Sequence, residues 1–281
     1  MWQVFLLLGL VWGGGAAASG AVPTSAPAPK VVPATTAQIW PAWLTQGETL
    51  VYDVSLLGKR IGRADFHLQP LPQNKYQLTL RAWTMDFWDK MYFTRDRWVV
   101  TGRHRPGQPF LTERHHIHLQ ERDDQRQREA VFDRTRHQVT YRNLLAQPVE
   151  TQLLPMVPLT RDIISALYAL RAQTAAITAG GVWTLPVHDL DDGYQLQVQA
   201  DGQERVKTKA GTFNTWRLKL RLTHTTKADE VHDHVTLWVT DDAARVPVRI
   251  SRALPLGRFV AELRGVGPVG LGVDAPVGLG R

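Results

Sequence analysis

The chain has 281 residues, a formal net charge of +7 and a sequence pI of about 9.9. It contains no cysteine, which excludes a disulfide framework, a thiolate metal site, a cysteine nucleophile and a lipid-modified N-terminal cysteine. The basic balance predicts an anionic partner or surface, and the lack of a basic helix or an aromatic-basic recognition motif argues against nucleic acid.

The first 21 residues have the features of a secretory signal peptide. Residues 4–12 form an apolar run that is too short for a membrane span, which needs about 20 apolar residues. Small residues follow the run and offer cleavage sites that end at Ala18 or Ala21. No Lys or Arg precedes the run, so an uncleaved inner-membrane anchor stays open as the alternative. The leader predicts a periplasmic protein.

Two segments of biased composition flank one predicted β-rich domain, residues 45–265. Residues 22–44 are rich in Pro, Ala and Thr and lack periodicity, which predicts an extended linker. Residues 266–281 are rich in Gly, Pro and Val and predict a flexible tail. The glycines around this tail match a dinucleotide-binding fingerprint by letter, but no helix can follow them, so no cofactor is expected.

Most of the domain shows the period-two alternation of antiparallel strands with one wet face. Between residues 215 and 222, for example, tryptophan and leucine occupy the even positions and arginine and lysine the odd positions from 217. Many short strands at close spacing predict a mainly β fold with a barrel, a sandwich or a strongly curved sheet. The predicted strands are residues 48–57, 63–70, 75–83, 97–102, 110–119, 128–132, 138–141, 182–188, 194–199, 204–208, 213–223, 231–239, 246–252 and 258–263, with a turn at 58–62.

One amphipathic helix is predicted over residues 160–173, in the middle of these strands. Its apolar residues share one stripe of a 3.6-residue helix, and Thr160 is placed to cap the first turn. Such a helix is typical of a plug packed on a sheet, and a mobile lid over a cavity is the alternative. The stripe comprises Ile163, Ile164, Leu167, Leu170 and Thr174.

Several stretches together resemble the bacterial DUF3108 family, a domain of unknown function found in exported proteins. The stretch GETLVYDVSLLGKRIGRADFHL resembles the opening of that family, and RDIISALYALR resembles its central helix. The later strands of that family are similar to three further stretches of this chain, KTKAGTFNTWRLKL, LWVTDDAARVPVRI and GRFVAELRG. The resemblance covers residues 46–265 and implies an envelope location and a β-rich fold, with no established reaction and no functional residues.

The most unusual stretch is WTMDFWDKMYF, residues 83–93. Aromatic side chains bury large areas, and methionine adapts to varied ligand shapes, so the stretch predicts a surface for an acyl chain, a membrane or a partner. The alternative is that these residues belong to the ordinary hydrophobic core at the end of a strand. Charged residues interrupt the run, which favours a half-exposed position at a rim. The candidate ligand-binding residues are Trp83, Met85, Phe87, Trp88, Met91, Tyr92 and Phe93.

Motifs for metal binding and catalysis are weak. His116 and His118 share one strand face, as do His232 and His234, and four imidazoles could hold zinc or copper if those strands were neighbours. Solvated strand faces are the plainer interpretation, so no metal is expected. Ser165 lies among apolar helix residues and is interpreted as a packing residue, and the sequence has no nucleophile elbow. The paired acids fall where turns are expected.

These features favour a non-enzymatic binding or carrier module of the periplasm. Its expected ligand is an amphipathic and anionic envelope molecule, a lipid or glycolipid, with peripheral membrane contact possible. A structural protein that binds an envelope protein through sheet edges is one alternative. The other is an enzyme that acts on envelope glycans, which would need two close carboxylates, one with a raised pKa.

Overall fold

The computed structural model describes residues 41–105, 107–173, 175–226, 231–254 and 257–268, with the backbone alone for 231–234. The predicted leader, most of the predicted linker, Thr174 and most of the predicted tail lie outside the described residues. No helix among the described residues is both long enough and apolar enough to cross a bilayer.

One continuous sheet contains nearly all of the regular structure. The strands are β1 (Glu48–Leu56), β2 (Lys59–Leu71), β3 (Lys75–Thr84), β4 (Arg95–Arg105), β5 (Gln108–Glu121), β6 (Asp124–Asp133), β7 (Gln138–Asn143), β8 (Glu150–Pro155), β9 (Val182–Asp189), β10 (Asp192–Thr208), β11 (Gly211–His224), β12 (Val231–Thr240), β13 (Pro247–Leu254) and β14 (Gly257–Gly267). Their order is β8-β7-β6-β5-β4-β3-β2-β1-β14-β13-β12-β11-β10-β9, and every neighbouring pair is antiparallel.

Three helices accompany the sheet: α1 (Ala42–Gln46), α2 (Asp86–Met91) and α3 (Ile163–Arg171). The chain forms two meanders, β1–β8 and β9–β14, which meet where β1 pairs with β14. α3 lies in the connection between β8 and β9, which are the two edges of the sheet. The predicted mainly β fold, with a curved antiparallel sheet and one central helix, is confirmed.

Two predicted boundaries in the strands are wrong, one at a turn that is tighter than predicted and one at a strand that continues where a break was predicted. Residues 58–62 do not form a turn, since β2 begins at Lys59 and the turn uses only Leu57 and Gly58, both with positive φ angles (52° and 74°). Residues 194–199 and 204–208 belong to one strand, β10, which continues through a change of register between Ala200 and Gly202.

Three elements, α1, α2 and β8, lie where the sequence analysis predicts none, and α2 belongs to the candidate site. β8 is mostly exposed on both faces, so its residues show no alternation that could reveal a strand. The predicted linker, residues 22–44, extends too far, because α1 begins at Ala42 and buries Trp43 and Leu44. The Trp43 ring lies 6.1 Å from that of Phe110 and 5.8 Å from that of Tyr168, so α1 joins the core.

α3 is enclosed by the sheet, and all of its residues are buried. The predicted cap is wrong: the helix begins at Ile163, and the carboxylate of Asp162 accepts the N–H groups of Ile164 (2.9 Å) and Ser165 (3.0 Å). The hydroxyl of Thr160 instead donates to the carbonyl of Val157 (2.8 Å). A buried helix surrounded by strands means that the concave face of the sheet is filled.

Polar contacts fix the N-terminal end of α3 to the sheet. The hydroxyl of Thr112 on β5 donates to Asp162 (2.6 Å), and the hydroxyls of Tyr76 and Ser165 are hydrogen-bonded at 2.9 Å. Ser165 is fully buried by these contacts, in agreement with its interpretation as a packing residue. The segment before the helix also pairs with the β9 edge, where Arg161 and Val187 form a parallel bridge.

A buried ion pair fixes the C-terminal end of α3. The guanidinium of Arg171 donates through Nη1 and Nη2 to the carboxylate of Glu48 on β1, and through Nε to the carbonyl of Arg245 (3.1 Å). It also lies 4.2 Å from the ring centroid of Trp43. A guanidinium and a carboxylate without access to water depend on each other, because either one alone would be an uncompensated buried charge.

We predict that Arg171→Met lowers the free energy of unfolding by about 3–5 kcal/mol, because it leaves the carboxylate of Glu48 buried without a counterion. The double variant Arg171→Met/Glu48→Leu should recover most of that loss, since both charges are then removed. Urea unfolding followed by circular dichroism measures both. The exposed pair of Arg136 and Asp133 supplies the control, and Arg136→Gln should change stability by less than about 1 kcal/mol. A small effect of Arg171→Met would contradict the role given to this pair.

Candidate functional site

The predicted ligand-binding stretch, residues 83–93, connects β3 to β4 at one end of the sheet. It is neither a strand nor an irregular loop, since α2 occupies its centre. Trp83 is buried as the penultimate residue of β3. The N–H of Met85 donates to the carbonyl of Ile61 on β2 (3.1 Å), which anchors the start of α2 to the neighbouring strand.

The side chains of α2 divide between the core and the solvent. Phe87 and Met91 lie four residues apart on one helix face and are 63% and 53% exposed. Trp88 is half-buried and packs against the core, with its ring centroid 5.9 Å from that of Phe87. Tyr92 and Phe93 are half-buried after the helix. The stretch therefore lies at a rim, as its interrupted pattern predicts, and its role as a ligand site stays a prediction.

Asp89 holds α2 in place. Its carboxylate accepts the hydroxyl of Thr84 (2.7 Å) and both terminal amino groups of Arg95 (2.6 and 2.9 Å), so it joins the last residue of β3 to the first of β4. Hydrogen bonding to Arg95 keeps the pKa of Asp89 below its ordinary value. A bidentate pair of this kind gives a short helix a fixed orientation.

The turn between β1 and β2 lies beside α2 and adds to its exposed apolar surface. The register of β2 and β3 places Gly62 opposite Thr84, and Arg60 lies 3.4 Å from Asp86. Leu57, in that turn, is 65% exposed. We name this surface the α2 tip and define it as residues 57–60 and 85–91.

The α2 tip also carries positive charge. Lys59 and Lys90 are exposed, and neither has a carboxylate within 4 Å among the residues that the structure describes. The two acids of the tip are already paired, Asp86 with Arg60 and Asp89 with Arg95. The surface thus combines three exposed apolar side chains with two unpaired ammonium groups. Sequence analysis did not place Leu57 and Lys59 at the candidate site. An apolar residue next to a glycine in a tight turn does, however, indicate an exposed apolar side chain.

Two inward-facing carboxyl groups lie next to the end of α2. Asp96 on β4 and Glu121 on β5 are both buried, and the N–H of Arg122 donates to the carbonyl of Phe93 beside them (2.8 Å). Burial raises the pKa of both groups, and the charge of Glu121 raises that of Asp96 further. Raised pKa values are a feature of catalytic carboxyl groups, but neither Asp96 nor Glu121 lines any of the three cavities described below.

The alternative of a four-histidine site would require β5 and β12 to be neighbouring strands, and they are not. His116 and His118 are half-buried on β5, while His232 and His234 belong to β12, and six strands separate β5 from β12 in the sheet. The side chains of the second pair lie outside the described residues. Among the side chains that are described, no group of three His, Asp or Glu residues could hold a metal ion.

Two other histidines face the interior and act as packing residues. Both ring nitrogens of His115 lack a hydrogen-bond partner in the described structure, and burial lowers its pKa. His188 on β9 lies with its ring edge-on to Phe132 on β6, at 6.1 Å between centroids. Burial lowers the pKa of His188 to about 4, so its ring is neutral at neutral pH.

The interior has little free space for a ligand. The two described cavities between α3 and the sheet measure about 10 and 20 Å³, which is room for about one water molecule each. A larger cleft, of about 400 Å³, opens beside the C-terminal half of α3. Of these three spaces, the cleft alone has the volume of a small-molecule site.

Comparisons with known proteins agree with this architecture. The model of the DUF3108 family, described as a protein of unknown function, matches residues 51–264, which confirms the resemblance predicted for residues 46–265. No curated protein matches the chain by sequence. A beta-barrel-like protein of the domain of unknown function DUF1849 from Brucella abortus aligns over 80% of this chain and 98% of its own, with 10% identity and a TM-score of 0.54. That likeness extends to the fold alone.

Two further solved structures align over similar lengths with lower scores. One is a protein assigned as exported, with a YmcC-like fold, from Bacteroides fragilis; it covers 79% of this chain and 96% of its own, with 10% identity and a TM-score of 0.31. The other is assigned as a lipoprotein from Parabacteroides distasonis and covers 80% and 96%, with 11% identity and a TM-score of 0.32.

We predict that His188 makes the fold less stable in acid. Its pKa is about 4 in the folded protein and near 6.5 in the unfolded chain, so below pH 6.5 the unfolded chain takes up a proton that the folded protein does not. Its contribution to stability is complete above that pH and is lost as the pH falls towards 4. Between pH 7 and pH 5 the loss amounts to about 2 kcal/mol.

Urea unfolding at pH 7 and pH 5 measures this loss in the parent protein and in His188→Gln. The variant should lose about 2 kcal/mol less than the parent over that interval, because all other titrating groups are shared. His137→Gln, at an exposed turn position, is the control and should behave like the parent. Equal pH dependence in the parent and His188→Gln would show that His188 is not the responsible group.

Proposed function

We propose that this chain, which belongs to the DUF3108 family, is an exported binding module of the cell envelope that docks on anionic lipid through the α2 tip. The observation that supports this proposal is the combination of exposed Leu57, Phe87 and Met91 with unpaired Lys59 and Lys90 on one end of the sheet. The predicted secretory leader supports the exported location.

The chemistry of the α2 tip fits the boundary between headgroups and acyl chains. Apolar side chains enter that boundary, and each Phe, Met or Leu that is fully buried there contributes about 1.5–3 kcal/mol. Each lysine near an anionic surface adds about 1 kcal/mol. The bidentate pair of Asp89 and Arg95 keeps α2 folded, so α2 loses little conformational entropy when it binds the lipid.

The lipid is bound at the surface and is not enclosed. α3 fills the concave face of the sheet, and the two small cavities described between α3 and the sheet have room for about one water molecule each. An acyl chain inside the fold would require α3 to leave, which would expose Glu48 and Arg171 as well as the apolar core. The function is therefore attachment to an envelope lipid surface, and transport in an internal cavity is not part of the proposal.

The exposed β8 edge favours a second candidate function, binding of an envelope protein by strand addition. β8 has a partner on one side only, β7, and Leu153 on it is 65% exposed. Val149 and Val157 beside it are also exposed. An edge of this kind is a template for another strand. The α2 tip is the first candidate because its exposed apolar side chains match acyl chains and its lysines match anionic headgroups.

We predict that Phe87→Ser/Met91→Ser weakens binding to vesicles of phosphatidylethanolamine and phosphatidylglycerol by at least about thirtyfold, or ~2 kcal/mol. Both side chains are exposed, so the fold should be unaffected, whereas the half-buried Trp88 is unsuitable for this test. Cosedimentation measures binding, and thermal unfolding verifies the fold. The matched control is Leu153→Ser/Val157→Ser, which removes equally exposed apolar side chains elsewhere and should bind like the parent.

The charge of the α2 tip is tested separately. Lys59→Gln/Lys90→Gln should lower affinity for the same vesicles by about tenfold or more, and high salt should reduce parent binding in the same way. Lys75→Gln/Lys207→Gln has the same net charge with both changes away from the tip, and it should bind like the parent. Absence of parent binding to anionic vesicles would refute the proposal, and retained binding in both tip variants would place the lipid site elsewhere.

A further inference from the structure

The cleft beside the C-terminal half of α3 lies at the opposite end of β4 from the α2 tip. β4 begins at Arg95 beside α2 and ends at Arg105, and the following turn into β5 forms one wall of the cleft. The cleft measures about 400 Å³, which is within the range of small-molecule sites. It is a separate surface from the proposed lipid-docking site.

Small and apolar residues form most of the cleft. Ala169 and Ala172, at the end of α3, line its floor, and their short side chains leave the space open. Pro109 from β5, Leu159 from the segment before α3 and Leu185 from β9 line its walls. A lining of this composition suits the aliphatic part of a ligand.

One charged side chain, Arg161, lines the cleft. It is 5% exposed. Its Nε donates to the carbonyl of Pro109 (3.1 Å) and its Nη1 to the carbonyl of Leu159 (2.8 Å). Leu159 has a φ of 64°, a left-handed conformation that is unfavourable for leucine. These contacts hold the guanidinium in one orientation, while Nη2 makes no hydrogen bond to the described chain.

The guanidinium of Arg161 has no counterion among the described residues. No carboxylate lies within 4 Å of it, and none of the described residues that line the cleft is acidic. The carboxylate of Asp162, the nearest acid in sequence, accepts the hydroxyl of Thr112 and the first N–H groups of α3, and it acts on Arg161 only through its charge. A buried cation that is satisfied only by carbonyl oxygens is ready to accept an anion.

A second arginine increases the positive charge. The Nη2 of Arg134 donates to the carbonyls of Thr112 (2.8 Å) and Thr160 (2.9 Å), and Arg134 also has no carboxylate partner in the described chain. Burial lowers the pKa of Arg161 to about 10, and the charge of Arg134 contributes to the same shift. Arg161 nevertheless remains protonated at neutral pH. The half-buried Arg134 thus adds positive charge to the surroundings of the buried Arg161, and the charge of Asp162 offsets it in part.

We propose that the cleft binds a small amphipathic oxyanion, a carboxylate or phosphate group on a short aliphatic body. The oxyanion takes the free amino group of Arg161, and the aliphatic part lies on Ala169 and Ala172. Gln108 and Gln173, which also line the cleft, supply neutral amide donors to the remaining oxygens. The planar guanidinium matches a carboxylate and a phosphate equally well, so the binding experiment has to distinguish between these two groups.

The test uses octanoate, octyl phosphate and octanol as probes of the full folded chain, with isothermal titration calorimetry as the measurement. We expect at least one of the two anions to bind, and octanol to bind at least about tenfold more weakly because it has no charge for Arg161. The anion that binds more tightly identifies the headgroup.

Two variants test the placement of the ligand. Gln108→Glu keeps the size of the side chain and adds a carboxylate to the cleft, which should compete for Arg161 and weaken anion binding by about tenfold or more. Arg161→Gln removes the charge itself and should have an effect at least as large. Gln197→Glu, an exposed change on β10, is the matched control and should bind like the parent.

Each outcome decides the proposal. Anion binding that is lost in Gln108→Glu and kept in Gln197→Glu supports it, even if Arg161→Gln fails to fold. The tip variant Phe87→Ser/Met91→Ser should retain anion binding, so failure of the lipid-docking proposal and failure of this one are distinguishable. Absence of binding by both anions, equal binding of octanol, or unchanged affinity in Gln108→Glu overturns the proposal.

Discussion

The enclosure of α3 is the constraint on which the rest of the structure depends. The chain must pass from β8, one edge of the sheet, to β9, the other edge, and it does so through a helix whose every residue is buried. The carboxylate of Asp162 caps one end of that helix, and the pair of Arg171 and Glu48 holds the other. Because Asp162 also accepts the hydroxyl of Thr112 on β5, and Arg171 pairs with Glu48 on β1, both ends of α3 depend on the sheet around it.

A filled interior leaves the outer surfaces for binding. One end of the sheet carries the α2 tip, where exposed apolar side chains stand beside unpaired lysines. The other end carries the cleft in which Arg161 lies with no carboxylate partner among the described residues. The fold thereby separates a surface suited to an anionic bilayer from a pocket suited to a small anion. β4 runs from one end to the other, so the two proposed sites lie at opposite ends of the same strand.

Alternation along the chain was sufficient to predict the sheet and its central helix, because inward side chains repeat every second residue in a strand. It failed where no such repeat exists, as in the exposed β8, and where a bulge carries β10 past Gly202. The stretch 83–93 was recognised by composition, yet its helix depends on contacts of Asp89 with both flanking strands. The sequence could not predict Arg161 as a binding residue. Its burial and its lack of a carboxylate partner among the described residues both follow from how the chain packs.

Hydrogen–deuterium exchange with and without anionic vesicles tests the central claim most directly, because it locates the contact on the folded chain. The account predicts slower exchange in residues 57–60 and 85–91, with exchange in α3 unchanged because the helix stays enclosed. Unchanged exchange in both segments of the α2 tip, or protection that appears over β8 instead, would contradict it. Faster exchange in α3 would also contradict it, since that result would mean that the interior opens to receive the lipid.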